Sequence, residues 1–221
     1  MERLPVVVAT GEAVREVLPE QAVVHVRAAA KGRSRESVLE RLTERAAAHR
    51  AVLDEFAAAI ERRESAGLHV HPQMKRRGEE VQAYHGSVET RVLVTDFTVL
   101  GDLLLRLAGE ELTSVSGPWW QLRPGSRAGA EARRAAVADA LVQAAEYASA
   151  VGAEVDRLVE ISDVVSEGTG GPMAFAAAGA ARDMGGGPTL ELEPELQTVH
   201  ARVKVTVTIS EPALGRYVSG G

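Results

Sequence analysis

QTVHARVKVTVTIS, residues 197–210, alternates polar and apolar side chains almost without a break. Val199, Ala201, Val203, Val205, Val207 and Ile209 point one way, and Thr198, His200, Arg202, Lys204, Thr206 and Thr208 point the other. Period two is the mark of a strand with one face buried and one face wet. The opening VVVATGE, residues 6–12, reads as sheet as well. Both ends of the chain are therefore predicted as strand, with long helices between them.

Working inward, strands are predicted over 5–14 and 21–31, separated by a turn at Pro19 and Glu20. Ser34 or Ser37 can cap a long helix, and Ser37 with Glu40 fits a capping box. Val38, Leu42, Ala46, His49, Leu53, Phe56 and Ile60 form one stripe on it, and Gly67 is the expected stop. Strands near 68–75 and 81–95 follow, then a helix over 97–109 capped by Asp96 and a strand over 112–123. An alanine-rich helix over 127–151, a strand over 154–163 and the final strand complete the pattern. From 21 to 123 the order is β-α-β-β-α-β, the split βαβ arrangement, an antiparallel sheet with both helices on one face. The expected class is α+β: this core, plus an extra helix and flanking strands that extend the same sheet or build a second layer. No linker composition interrupts the chain, so residues 1–221 are expected as a single domain. A long Gly/Ala-rich loop is expected at about 166–196.

Composition excludes some chemistry. The 221 residues hold no cysteine, which removes thiol catalysis, disulfides and Cys-ligated zinc. A net charge of −6 with scattered basic residues argues against a nucleic-acid partner. Lys75-Arg76-Arg77 sits beside Gly78, Glu79 and Glu80 and reads as a solvated turn. No run reaches the roughly 18 apolar residues that a membrane span needs. Without a signal-peptide pattern at the N-terminus, a cytoplasmic location is expected.

Four segments resemble the SIMPL-domain family. The opening Val8-Ala9-Thr10-Gly11-Glu12-Ala13 resembles its first strand, and Leu68-His69-Val70-His71-Pro72-Gln73 its post-helix strand ending in proline. Ala132 to Ala140, closing at Ala150-Val151-Gly152, is similar to its alanine-rich helix, and 197–210 to its terminal strand. The tyrosine that often follows the proline is replaced by Gln73-Met74, and the secretion signal of many bacterial relatives is not seen. The resemblance implies an α+β fold and a tendency to assemble into rings or larger oligomers. It implies no reaction, cofactor or catalytic residue. Bacterial relatives are linked to envelope integrity or oxidative-stress tolerance, and an animal relative binds a signalling kinase.

His69 and His71 are the sharpest site candidates. Residues i and i+2 of a strand share a face, and His85 can approach across the 78–80 turn, so the three are metal candidates. Solvent-face histidines are the plainer reading. His49 lies on an apolar helix stripe and reads as a core or rim residue. His25 and His200 lie on strands. No Gly-x-Ser-x-Gly elbow supports nucleophilic catalysis. The glycines at 168, 170 and 171 lack the Lys and Ser/Thr of a phosphate loop. Trp119 and Trp120 are adjacent on a strand, so one packs inward while the other is free to meet a partner, and Pro118 marks an edge or bulge. Met173 and Phe175, in a small apolar block of the long loop, are further interface candidates. The expected function is a non-enzymatic, self-assembling scaffold or binding protein, whose partners are further copies or another protein. A small-ligand or metal-binding protein using the strand histidines is the second reading, and an enzyme with an unrecognised site the third.

Overall fold

A computed structural model of the chain describes residues 4–75, 80–164 and 189–214. Its elements in chain order are β1 (Val6–Val17), β2 (Gln21–Gly32), α1 (Arg35–Glu55), β3 (Ile60–Met74), β4 (Val81–Val94), α2 (Leu100–Ala108), β5 (Thr113–Gln121), α3 (Arg127–Ala150), β6 (Val155–Asp163) and β7 (Gln197–Ile209). The class is α+β, with two antiparallel sheets. The chain divides into two compact units. A central unit holds β2 to β5 with α1 and α2, and a terminal unit holds β1, α3, β6 and β7.

In the central unit the sheet order is β3-β4-β2-β5, which is the order the split β-α-β-β-α-β reading requires. Ala22, Val24 and Val26 of β2 and Val92 and Val94 of β4 face the helices. They meet Val52 and Leu53 of α1 and Leu100, Leu103, Leu104 and Leu107 of α2 in one buried cluster. Each of these valines and leucines stabilises the unit by about 1.5–3 kcal/mol when fully withdrawn from water. Asp96 caps a 3-10 turn, Phe97–Val99, that runs directly into α2 and accepts from the Thr98 N–H at 3.0 Å.

Two sequence expectations need correction here. The cap of α1 is Ser34, and its reciprocal partner is Ser37 rather than Glu40. The Ser37 N–H donates to Ser34 Oγ at 3.2 Å while the Ser34 N–H donates to Ser37 Oγ at 3.4 Å. The helix also ends at Glu55, well before Gly67. A 3-10 turn, Ala57–Ala59, intervenes, and Ile60 opens β3 opposite Val94. The Thr95 N–H donates to the Ala59 carbonyl at 2.9 Å and fixes the crossover. Strand pairing wins over helical spacing because a full-length β3 completes the edge of β4. Bulges near Arg62, Gly67 and Met74 break the alternation of β3 and hide it from a period-two reading.

The terminal unit is a three-stranded sheet, β1-β7-β6, with α3 across one face. The flanking strands thus form a sheet of their own. Ala132, Ala136, Ala140, Ala144 and Ala148 recur every four residues and are fully buried, the last four in one cluster with Val203, Val205 and Val207 of β7. Alanine at every contact lets the helix sit close to the strands. The approach is closest at Gly11, where a Cβ would stand 2.0 Å from the Ala136 carbonyl oxygen. Asp139 of α3 also reaches β1 and accepts from the Glu12 N–H at 3.0 Å. The final strand keeps the predicted alternation up to Thr208, which is buried.

Candidate functional site

The face of the central sheet turned away from α1 and α2 carries most of the strand histidines. On β2, alternation places His25, Arg27 and Lys31 there, and the register sets them opposite Arg91, Glu89 and His85 of β4. Most of these polar groups are spent on neighbouring side chains. His25 Nδ1 meets Glu89 Oε1 at 2.5 Å, and the Trp119 and His25 rings make a T-shaped contact at 4.9 Å between centroids. Arg27 donates to Ser87 Oγ at 2.8 Å. Arg91 pairs with Glu64 of β3 at 3.4 Å, and Arg62 with the same carboxylate at 2.9 Å.

The β3–β4 hairpin brings two of the three metal candidates together. His71 and His85 are directly opposite in register, with ring centroids 5.9 Å apart and planes 15° from parallel. His85 Nε2–H donates to Gln73 Oε1 at 2.8 Å. His69 lies opposite Ser87, and its imidazole leans over Gly67, where an added Cβ would stand 3.2 Å from Nε2. Among the described residues, no group of three or more His, Asp or Glu side chains is placed to hold a metal ion.

Trp119 and Trp120 take opposite faces as predicted. The Trp120 and Phe97 rings make a T-shaped contact at 4.8 Å between centroids, at the rim of the core. Both tryptophans are partly buried, on the edge strand β5, after a cis Gly117–Pro118 peptide and beside a bulge in the β2–β5 pairing. Met173 and Phe175 lie outside the described residues, as do the glycines at 168–171. Lys75 pairs with Glu80 across the hairpin turn.

His49 is buried on α1, and its Nε2 meets Thr113 Oγ1 of β5 at 2.6 Å. Burial pushes its pKa below the usual histidine range, and the Glu110 carboxylate pulls it back up. Around it stand Arg41, Arg45, Glu110 and Thr113, none of them singled out by sequence reasoning. The signal was present, since Arg41, Arg45 and His49 repeat every four residues on one helix face. His200 is exposed on β7, across from Val14.

The family model for SIMPL, described as a protein of unknown function (DUF541), matches residues 7–207, from β1 to β7. The chain belongs to the SIMPL family. No curated protein matches it. The family match takes in both units and the split core. Among the described residues, no helix of this SIMPL chain is long and apolar enough to cross a membrane.

Proposed function

We propose that this SIMPL chain acts as a non-enzymatic, self-assembling scaffold or binding protein, with its two units working as one domain in the cytoplasm. The observation that carries the reading is the uncovered apolar surface on the terminal sheet. The register of β6 sets Val155, Leu158 and Ile161 opposite Ile209, Val207 and Val205, and so on the face where α3 lies. The helix packs mainly over β1 and β7, however. The three residues are left 37%, 50% and 47% exposed. On the other face of β1, Val6, Val8 and Val14 are exposed too. Solvent-facing apolar groups in a row cost solubility unless another surface covers them.

The edges of this sheet differ in kind. β6 carries two bulges and the charges Asp156, Glu160 and Asp163, which oppose edge-to-edge strand addition. β1 pairs with β7 over 12 residues without a bulge, so its outer edge is regular. A second copy covering the Leu158–Ile161 face would bury the larger apolar group without needing the β6 edge. Leu158→Asp combined with Ile161→Asp is the test. Light scattering should show the double variant as a single subunit while the parent remains assembled. An unchanged mass would remove this face from the account.

A second reading, a metal-binding protein, draws on the His71–His85 pair. Two imidazoles fall short of the three or four ligands that zinc takes. The remainder must come from a second copy. Stoichiometric zinc in protein purified without a tag, lost in His71→Ala, supports this reading. Protein that takes up no zinc at saturating concentration overturns it.

A further inference from the structure

The cavity around His49 has a construction that the assembly reading does not use. It is a solvent-open cavity of about 400 Å3, lined by Arg41, Glu44, Arg45 and His49 of α1 with Glu110, Glu111 and Thr113 ahead of and within β5. That volume lies in the range of small-molecule sites, about 300–1,000 Å3.

The cavity exists because β2 outruns its neighbour. The β2–β5 pairing ends at Ala28 opposite Thr113, and one more hydrogen bond, Ala29 N–H to the Leu112 carbonyl at 3.0 Å, closes the ladder. Past that point two arginines of α1 stand in for a strand. Arg45 donates to the Ala29 carbonyl at 2.7 Å, and Arg41 donates to the Lys31 carbonyl at 2.6 Å. Each guanidinium has five N–H donors in a fixed fork, so one bond to a carbonyl fixes the position of the charge and leaves donors over.

Those charges have no close, buried carboxylate partner. Arg45 is only 20% exposed, yet its nearest carboxylate, Glu111, is 4.0 Å away and 87% exposed. Among the described residues, Arg41 has no ion pair, and neither Glu44 nor Glu110 pairs with a lysine or arginine. Elsewhere in the same unit Arg63, Arg91, Arg106 and Arg123 each hold a carboxylate within 3.4 Å. The His49–Thr113 pair adds a polar contact to the lining.

We infer that this cavity binds a small zwitterion, with its carboxylate on the Arg45 and Arg41 guanidiniums and its ammonium among Glu44, Glu110 and Glu111. A simple anion would face three carboxylates, and a simple cation would face two guanidiniums. A molecule carrying both charges satisfies both sets, and bidentate guanidinium–carboxylate geometry supplies the orientation. The chemical class is a free amino acid or an ω-amino acid.

The experiment is a titration of the 15N-labelled full chain with glycine, β-alanine and γ-aminobutyrate, which share their end groups and differ in spacing. Acetate and methylammonium at matched ionic strength are the half-probes. One amino acid should give saturable shifts at the Arg45 Nε–H and the Thr113 amide, with an affinity about tenfold or more above either half-probe. Glu44→Gln combined with Glu110→Gln spares the Arg41 and Arg45 bonds to β2 and should reduce that advantage. Arg45→Gln should remove binding of both the amino acid and acetate. The inference is overturned if no amino acid gives saturable shifts. It is equally overturned if acetate binds as tightly as the amino acids, or if the double glutamine variant binds as well as the parent.

Discussion

Gly11→Val is expected to destabilise the terminal unit by about 3 kcal/mol or more, at the upper end of overpacking effects. A Cβ at this position would stand 2.0 Å from the Ala136 carbonyl oxygen and 2.3 Å from the Ala140 amide nitrogen. Both are helix backbone, so no side chain can swing away to make room. The alanines on either side are fully buried and already as small as a side chain with a Cβ can be. α3 must therefore lift from β1 and β7, exposing the stripe that forms the core of the unit. It would also lose the bond from the Glu12 N–H to Asp139. Both tryptophans lie in the central unit, so the effect should appear in far-ultraviolet circular dichroism and in Tyr147 emission, with tryptophan emission less affected. A urea transition unchanged to within about 0.5 kcal/mol would show that α3 does not pack on β1 as described.

Leu103→Ala should cost the central unit about 2–5 kcal/mol, the range for a buried leucine truncated to alanine. Leu103 has no exposed surface and packs in one cluster with Val24, Val92, Val94, Leu100 and Leu107. Those neighbours belong to two paired strands and to the helix itself, which limits how far the cavity can collapse. Trp120 packs against the same cluster, so tryptophan fluorescence reports this unit directly. The urea midpoint should fall with little change in slope. A midpoint equal to that of the parent would contradict the placement of α2 on the sheet.

These two residues also mark how legible the sequence is. The leucines of α2 and the valines of β7 follow helix and strand periods so plainly that spacing alone locates them. The split order over 21–123 follows, and the sheet order β3-β4-β2-β5 agrees with it. The start of β3 was hidden for a physical reason. Phe56 and Ile60 keep the helical spacing of α1 after the helix has ended, and three bulges scramble the alternation beyond. The separate sheet formed by β1, β6 and β7 was also hidden, because pairing between residues 6–17 and 197–209 leaves no local mark.

The sites divide in the same way. Placing His69 and His71 on one strand needs only period two, but whether His85 lies opposite depends on register, which set it against His71. The cavity at His49 was less legible still. It arises where β5 stops short of β2, and its arginines face it because two strand carbonyls lack a neighbouring strand. A ladder's end is a property of the fold, and no residue announces it.

The solution mass of the untagged full-length chain, by light scattering coupled to size exclusion, tests self-assembly most directly. The account predicts one discrete mass at a whole multiple of 23.4 kDa, twofold or higher, stable on dilution. A single species at 23.4 kDa across the concentration range would contradict it.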